Sequence, residues 1–311
     1  MAKRDIVGIG GSAGSLEALI QILGRLPSDL PASVFVVVHL SARSPNFLPD
    51  ILQKRTAMRV LQASDGTPIQ KATVYVAPPD RHLLINDSHI HLSRGPKEGL
   101  QRPSINVTFR SAAEAGGERV IGVLLSGMLD DGAAGIWEIG KRNGITIVQD
   151  PAEAPYPSMP MNALNDAIVH YTLKVAEIGS FLTRLIGEDV RPALHSEEVV
   201  DKKMARFSGF TCPECRGPLY ENEQSPVEFR CRVGHVLSLR TLFEEHTSTQ
   251  ERKLYEAMVA LEEGADLADR VAATEESPNQ AELRNEAEQL RHQAQVIRKL
   301  VEGRTTPVFD A

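Results

Sequence analysis

The sequence is poor in cysteine and has no long hydrophobic run, and these two absences restrict the class of protein. Its three cysteines all lie between Cys212 and Cys231, which is too few for a disulfide framework and favours a metal site in a reducing compartment. The longest apolar runs, residues 34–38 and 120–125, are far shorter than the roughly 20 residues that span a bilayer. We therefore expect a cytoplasmic protein without disulfides and without membrane insertion.

An excess of positive charge is also missing. Residues 1–187 carry 18 Lys and Arg against 17 Asp and Glu, whereas residues 188–311 carry 16 against 24, within a net charge of −7. Binding to nucleic acid depends mainly on neutralising phosphates, so an acidic region that contains the cysteines is unsuited to it. We expect no nucleic-acid partner. With 311 residues, of which 42% are hydrophobic, the chain is long enough for one large domain and a smaller one.

Short apolar segments alternate with segments of helical periodicity, which predicts a doubly wound, mostly parallel, Rossmann-like α/β sheet. The middle of this region breaks the alternation, because VYVAPPD, HLLIND and HIHLSRG predict short strands of an antiparallel insert or edge hairpin. The predicted strands of the main sheet are 5–10, 33–39, 59–62, 120–126, 145–149 and 167–171. The predicted helices are 16–26, 46–54, 105–115, 133–141, a short helix from Asn162, and 175–186.

The rest of the chain predicts three further parts after a first domain over 1–187. They are a linker over 188–209, a zinc-ribbon-like cysteine module over 210–237 and a helical hairpin over 238–304. In the hairpin, apolar or small residues recur at spacings of three and four. These stripes pack on each other or, alternatively, form a homodimer interface or a dock for a partner. The stripe residues are Leu254, Ala257, Leu261, Gly264, Ala268 and Val271, then Leu283, Ala287, Leu290, Ala294, Ile297 and Val301.

Ser12 lies in GIGGSAGS, between the first predicted strand and the first predicted helix. A Gly-x-Ser-x-Gly turn at such a junction exposes the hydroxyl and directs the first N–H groups of the helix, including that of Ala13, towards it, which is typical of a nucleophile. The alternative is dinucleotide binding, because Gly8 to Ala13 also fit Gly-x-Gly-x-x-Ala. A nicotinamide site, however, needs an acidic residue at the end of the second strand.

That second strand ends at His39, and another strand is followed by Asp130 and Asp131 at the start of a helix. Alone, His39 fits an ordinary surface histidine and Asp131 fits a helix N-cap. Together with Ser12, each lies at the carboxyl end of a strand in one predicted sheet, where ligands and catalytic groups of such folds gather. The sequence therefore predicts a Ser-His-Asp hydrolase and disfavours a dinucleotide site.

The cysteines form Cys212-x-x-Cys215 and, with a histidine, Cys231-x-x-x-His235. Three thiolates and one imidazole at this spacing predict a closed, structural Zn²⁺ site. We predict no cofactor for catalysis itself. The remaining histidines, including His89 and His91, are expected at the surface.

Six sequence blocks resemble one known family, the chemotaxis protein-glutamate methylesterases of the CheB type. The resemblance covers residues 4–186, and its blocks are GGSAG, VVVHL, VYVAPPDRHLL, RPSINVTFRSAA, LLSGMLDDGAAG and VQDPAEAPYPSMP. It implies that Ser12, His39 and Asp131, rather than Asp130, are catalytic. It implies a serine hydrolase that removes methyl esters from receptor glutamates and also deamidates glutamine, with the cytoplasmic helical region of a methylated receptor as partner.

The resemblance further implies oxyanion or substrate-binding roles for Ala13, Met128 and Arg102. Arg102 would grip an acidic helical substrate or, alternatively, form a surface salt bridge. The sequence departs from the family pattern at positions that bear on the oxyanion hole and substrate fit, namely Ala13, Ser15, Leu129 and Ser158.

Such enzymes commonly carry an N-terminal phosphoacceptor domain, whereas this sequence starts on the first strand, so we expect no control by phosphorylation in cis. FRCRVGH resembles an extension found after some methylesterase domains. A non-catalytic signalling scaffold that uses the zinc and helical modules is a further alternative.

Overall fold

The computed structural model describes residues 3–41, 45–86, 88–190, 206–222, 227–274 and 279–303. Within those ranges, none of the helices combines the length and the hydropathy that crossing a bilayer requires. The strands are β1 (Ile6–Gly11), β2 (Ser33–Val38), β3 (Arg59–Gln62), β4 (Thr73–Val76), β5 (His82–Asn86), β6 (His89–Ser93), β7 (Val120–Leu124), β8 (Ile145–Gln149), β9 (Tyr171–Leu173), β10 (Arg206–Thr211), β11 (Pro218–Asn222), β12 (Glu228–Cys231) and β13 (Val236–Ser238). The helices are α1 (Ser15–Leu23), α2 (Leu48–Gln53), α3 (Ile105–Gly116), α4 (Ala133–Lys141), α5 (Ser158–Asp166), α6 (Val175–Gly187), α7 (Leu239–Ala272) and α8 (Gln280–Glu302).

The main sheet has seven parallel strands in the order β3-β4-β2-β1-β7-β8-β9. The predicted doubly wound fold is therefore confirmed. Strands β1 to β4 form one half of the sheet and β7 to β9 form the other, so the direction of the connections reverses between β1 and β7. In open α/β sheets the carboxyl ends at such a reversal form a crevice that receives ligands.

Side chains of β1 alternate between two hydrophobic cores, one on each face of the sheet. Val7 and Ile9 join the core beneath α1 and α6. On the opposite face, a Cβ at Gly8 would lie 2.9 Å from Phe109, and one at Gly10 would lie 2.4 Å from Ile105. The glycines of the first motif thus let α3 pack directly on β1, which brings the N-terminus of α3 to the end of this strand.

The segment VYVAPPD was predicted within an antiparallel insert, and this was wrong. Its strand, β4, pairs in parallel with β2 and β3 inside the main sheet, while β5 and β6 form the separate antiparallel hairpin. All four residues of β4 are buried. A short, continuously apolar segment of this kind is typical of an interior parallel strand.

Two elements near the other edge of the sheet differ from the prediction. The last strand, β9, covers Tyr171–Leu173 rather than 167–171, and α5 begins at Ser158 rather than at Asn162. Pro160 lies in the first turn of α5, where a missing N–H leaves no helical hydrogen bond unmade.

The cysteine module is a four-stranded antiparallel sheet in the order β10-β11-β12-β13. We name residues 206–238 the Cys/His module. Its first strand lies partly inside the predicted linker, of which residues 191–205 are outside the described residues. Described residues up to Thr241 form one compact unit, which contains both the main sheet and this module, and those from Leu242 form a second.

The second unit consists of the remainder of α7 and of α8, as the heptad pattern predicts. The two helices are joined by ion pairs of Arg291 with Asp266 and Asp269 and of Arg298 with Glu262. The stripe of α8 lies inward as predicted. The buried stripe of α7 differs from the predicted stripe at every second position. Two stripes with alternating spacings of three and four residues can share Leu254, Leu261 and Ala268 and differ by one residue at the positions between them. The more buried stripe of α7 is Leu254, Met258, Leu261, Ala265, Ala268 and Ala272, whereas Ala257 and Val271 are exposed.

Candidate active site and metal centre

Ser12 directly follows β1 and precedes α1, in the predicted turn. Its backbone N–H donates to Ser126 O (2.9 Å), and its carbonyl accepts from the N–H and the hydroxyl of Ser15. Gly14, at φ +74°, caps α1 in a left-handed conformation that an L side chain rarely adopts. The turn is thus held at both ends, and it leaves the Ser12 side chain partly exposed above the sheet.

His39 follows the end of β2, the strand next to β1, so its ring lies beside Ser12. Its Nδ1 is 3.1 Å from Ser12 Oγ, and its Nε2 is 2.7 Å from Asp131 Oδ2. The Asp131 carboxylate only accepts hydrogen bonds, so the proton is assigned to Nε2, and Nδ1 is left to accept from the serine hydroxyl. The ring nitrogens have the opposite roles in the chymotrypsin-type triad.

Asp131 lies beyond β7, and its carboxylate caps α3, which is far away in sequence. Oδ1 accepts from Ser104 Oγ (2.9 Å) and Asn106 N (3.0 Å), and Oδ2 accepts from Ile105 N (2.8 Å) in addition to His39. Four donors therefore fix a carboxylate that is 4% exposed. The positive end of the α3 dipole adds to its stabilisation.

The ionised form of Asp131 is favoured despite its burial. Burial raises the pKa of this carboxyl, but the His39 ring and the backbone N–H groups of Ile105 and Asn106 lower it more, so that the pKa lies below its ordinary value. A buried anion next to Nε2 is what orients a neutral histidine and stabilises its protonated form.

Asn106 returns this capping, and sequence reasoning missed it. Its Oδ1 accepts the N–H groups of Gly132 (2.9 Å) and Gly135 (2.8 Å) at the start of α4. Asp131 therefore caps α3 while Asn106, on α3, caps α4. A polar residue two positions after Ser104 was the visible signal, but its partner could not be read from local spacing.

His82 was expected at the surface, and this was wrong. It is 3% exposed, its Nδ1 accepts from Ser104 N (3.3 Å), and its Nε2 donates to Pro96 O (3.0 Å). Burial lowers the pKa of the His82 ring. His82 supports Ser104, which in turn supports Asp131. His89, His91 and His170 are exposed.

A second wall of the site lies at the end of β7. Ser126 accepts the Ser12 N–H and donates its hydroxyl to Ala13 O (2.9 Å), and its own N–H is held by the buried Gln149 (2.8 Å). A Cβ at the next residue, Gly127, would lie 3.0 Å from Ser12 Cβ. Ala13 directly follows Ser12, and Met128 directly follows Gly127, which borders the serine. Met128 is 46% exposed.

Arg102 is engaged within the protein. Its Nε and Nη2 donate to Asp80 Oδ1 (2.9 and 2.7 Å), and Nη1 donates to the carbonyls of Arg94 and Gly95. Arg102 thus forms a salt bridge, the alternative to a substrate-binding role that the sequence left open. The guanidinium of Arg102 therefore already has partners inside the fold.

The four predicted metal ligands also converge. One ligand atom of each of Cys212, Cys215, Cys231 and His235 lies within 4.8 Å of all the others. The Cys215–Cys231 sulfurs are 3.6 Å apart, and His235 Nδ1 is 3.7 Å from Cys212 and 3.5 Å from Cys231. A tetrahedron with Zn–S bonds of ~2.3 Å has S···S edges of ~3.8 Å. The cluster therefore has dimensions that fit a metal ion.

Comparison with known proteins gives the family of the first domain. Residues 7–182 match the family described as CheB methylesterase. A protein of Leptospira interrogans is 36% identical over 182 residues, which cover 58% of this chain and 94% of the relative. The protein-glutamate methylesterase FrzG of Myxococcus xanthus is 36% identical over 182 residues, covering 58% of this chain and 54% of that protein.

A solved structure shares the fold. The CheB methylesterase catalytic domain of Thermotoga maritima aligns with a TM-score of 0.56 at 29% identity. The alignment covers 60% of this chain and 100% of that domain. The resemblance predicted from the six sequence blocks is confirmed.

Proposed function

Because the chain belongs to the CheB methylesterase family, we propose that it hydrolyses glutamate methyl esters in receptor proteins through Ser12, His39 and Asp131. The observation that carries this proposal is the continuous chain of contacts from Ser12 Oγ to His39 and on to the fully capped Asp131. His39 stands at the end of β2, where a nicotinamide site would need a carboxylate, which favours a hydrolase over dinucleotide binding.

In the first half of the reaction, Ser12 Oγ attacks the ester carbonyl while His39 Nδ1 takes its proton. The tetrahedral intermediate then collapses, and His39 returns the proton to the departing methoxide, which leaves as methanol. In the second half, His39 takes a proton from water and the hydroxide attacks the acyl-enzyme. His39 returns this proton to Ser12 Oγ as the bond to the acyl group breaks, and the glutamate side chain that is released loses its acid proton to solvent. The same steps on a glutamine side chain would release ammonia.

The oxyanion donors in this proposal are the backbone N–H groups of Ala13 and Met128. The Ser12 carbonyl is occupied by Ser15, and the Gly127 carbonyl accepts the Met159 N–H (2.9 Å). In a trans peptide the N–H points opposite to the preceding carbonyl, so both groups point away from those partners. Loss of one such donor typically costs on the order of 100-fold or more in rate.

The test is release of methanol from a methyl-esterified fragment of a receptor's cytoplasmic helical region. Ser12→Ala is expected to lower the rate by roughly 10⁴-fold or more. Ser180→Ala, on the exposed face of α6, is the matched control and should behave as the wild type. Equal rates for Ser12→Ala and wild type would refute the triad. Labelling of Ser12 by a fluorophosphonate would exclude the scaffold alternative.

The Cys/His cluster fits Zn²⁺ by its chemistry as well as by its dimensions, because soft thiolates and an imidazole in a closed set of four are typical of structural zinc. We propose that zinc bound there stabilises the module, to which it can contribute about 10 kcal/mol or more. Native mass spectrometry of freshly purified, reduced protein should find one zinc ion per chain; a metal-free chain would contradict this.

Dimerisation or partner binding through the C-terminal helices is a separate part of the proposal. α7 exposes Tyr255 and Val259, at 46% and 48%, one turn apart on one face. Light scattering of the full chain decides whether this face joins two copies. A monomer at micromolar concentration would leave receptor or partner docking as its use.

A further inference from the structure

The catalytic aspartate has a neighbour whose side chain is bound by the start of α7, directly after the Cys/His module. Asp130 Oδ1 accepts from Thr241 Oγ1 (3.1 Å), and Thr241 Oγ1 in turn accepts from Ser238 Oγ (3.2 Å), at the end of the module. Ser238 accepts the Thr241 N–H (3.0 Å) and so caps the start of α7. The module therefore ends in a helix start that holds one side of the acid loop, which we define as residues 127–132.

The same module holds a second segment next to Asp131. Strand β13 continues as a bridge to residues 97–99, in which Gly99 N donates to Val236 O (2.8 Å). A Cβ at Gly99 would lie 3.8 Å from Asp131 Cβ. One residue thus separates the module's backbone from the catalytic side chain.

A largely buried ion network ties this contact to α3. Arg110, on α3, donates to both oxygens of Glu98 (2.9 and 3.0 Å) and to Glu228 on β12 (3.2 Å). Glu98 is 5% exposed. Because Asp131 is held by the first N–H groups of α3, the network connects the module to the helix that fixes the catalytic carboxylate.

We propose that the Cys/His module, together with the start of α7 that follows it, is a positioning element for the catalytic acid: the hydrogen bond from Thr241 to Asp130 holds the acid loop, and β13 holds residues 97–99. This inference rests on the proposed function in taking Asp131 as the triad acid. The module and the start of α7 reach the neighbourhood of Asp131 on two sides, through Asp130 and through Gly99. Neither contact involves the four groups that donate to the Asp131 carboxylate. Loosening them lets Asp131 leave its position against His39 Nε2, which weakens the base.

The test compares Thr241→Val with Thr247→Val in the full-length, zinc-loaded protein. Thr247 is six residues further along α7, and its hydroxyl bonds the Phe243 carbonyl of its own helix, so the control has the same substitution on the same helix. Two readouts are measured. The first is the rate at which a fluorophosphonate phosphonylates Ser12 with loss of fluoride, which needs no knowledge of the natural ester. The second is amide hydrogen exchange at Ile105 and Asn106, whose N–H groups bind Asp131.

Thr241→Val is expected to slow phosphonylation of Ser12 by roughly 10- to 100-fold, since small misplacements of catalytic groups cost factors of this size, and to speed exchange at both amides. Zinc content and KM for the ester should be unchanged. Asp130→Ala should act as Thr241→Val does, and Asp130→Asn, which keeps an acceptor for Thr241, should lose less. Removing zinc from the wild type with a chelator should speed exchange at the same two amides.

Phosphonylation and exchange rates equal to those of Thr247→Val would overturn the inference while the esterase proposal stands. If the fluorophosphonate does not label Ser12 of the wild type, the proposed function fails, and exchange then decides the inference alone. Faster exchange in Thr241→Val supports positioning by the module, and unchanged exchange refutes it.

Discussion

The proposed triad of Ser12, His39 and Asp131 and the Cys/His cluster are both convergences of polar side chains, but they are ordered by different means. His39 and Asp131 are 92 positions apart, and the Asp131 carboxylate has a protein donor at each of four sites. In the cluster, the ligand atoms of Cys212, Cys215, Cys231 and His235 all lie within 4.8 Å of one another, and three of the pairs are 3.5–3.7 Å apart. The first site is organised by hydrogen bonds of the fold itself, whereas the second has the ligand set that the proposed zinc ion would hold together.

The largest effect is expected at Asp131, whose four hydrogen-bond donors order the first site. Asparagine has the same shape, but its amide cannot accept from both His39 and the α3 backbone as a carboxylate does, and it favours the wrong histidine tautomer. Asp131→Asn is expected to lower kcat roughly 10⁴-fold, with unchanged zinc content. The measurement is single-turnover methanol release. Asp65→Asn, a change at a carboxylate that is 62% exposed, is the control; an Asp131→Asn rate above a tenth of wild type would mean that the site is not organised as described.

The sequence predicted the parts of the site that local pattern determines. Ser12 and His39 each end an apolar strand, and the strands of one parallel sheet bring their carboxyl ends to one edge. Asn106 and His82 escaped prediction because each acts through a partner that tertiary packing supplies, at Gly132 and at Ser104. The pattern also failed where two interpretations fit it equally well. The apolar stripe of α7 fits two registers, and the segment of β4 fits a strand of either the parallel sheet or an antiparallel insert.

The Cys/His cluster, whose four ligands lie close together in the sequence, is tested at Cys215. Cys215→Ser removes one thiolate, and the expected loss of zinc affinity is at least roughly 100-fold, because even outer-shell partners of metal ligands are worth 10- to 100-fold. Competition with a chromogenic chelator measures it. Arg232→Ser, an exposed change between Cys231 and His235, keeps all four ligands and should bind zinc as the wild type does. Undiminished binding by Cys215→Ser would contradict the four-ligand site.

A substitution at Asn106 separates the stability of the loop around Asp131 from the catalytic rate at the Ser12 site. Asn106→Ala leaves the buried N–H groups of Gly132 and Gly135 without their acceptor, while the backbone N–H of residue 106 still binds Asp131. We expect a loss of about 1–3 kcal/mol in the free energy of unfolding and a smaller fall in kcat than for Asp131→Asn. Urea unfolding measures the former. Asn165→Ala, at an exposed position of α5, is the control, and equal stability of the two variants would show that the reciprocal capping is not needed.

The neighbours Asp130 and Asp131 give the smallest and most discriminating test, because their carboxyls shift in opposite directions. The pKa of Asp131 lies below its ordinary value of 3.8, so its ionised form stabilises the fold above that pH, and the stabilisation is lost as the pH falls through the folded value. Burial raises the pKa of Asp130, so its contribution is present at low pH and is lost as the pH rises through its folded value.

Urea unfolding of wild type, Asp131→Asn and Asp130→Asn between pH 3 and 7 separates the two effects. The stability advantage of wild type over Asp131→Asn should shrink as the solution is acidified. Asp130→Asn should instead gain on the wild type as the pH rises. If both variants changed with pH in the same direction, the two carboxyls would not differ in environment, and the assignment of one to the triad and the other to the contact with Thr241 would fail.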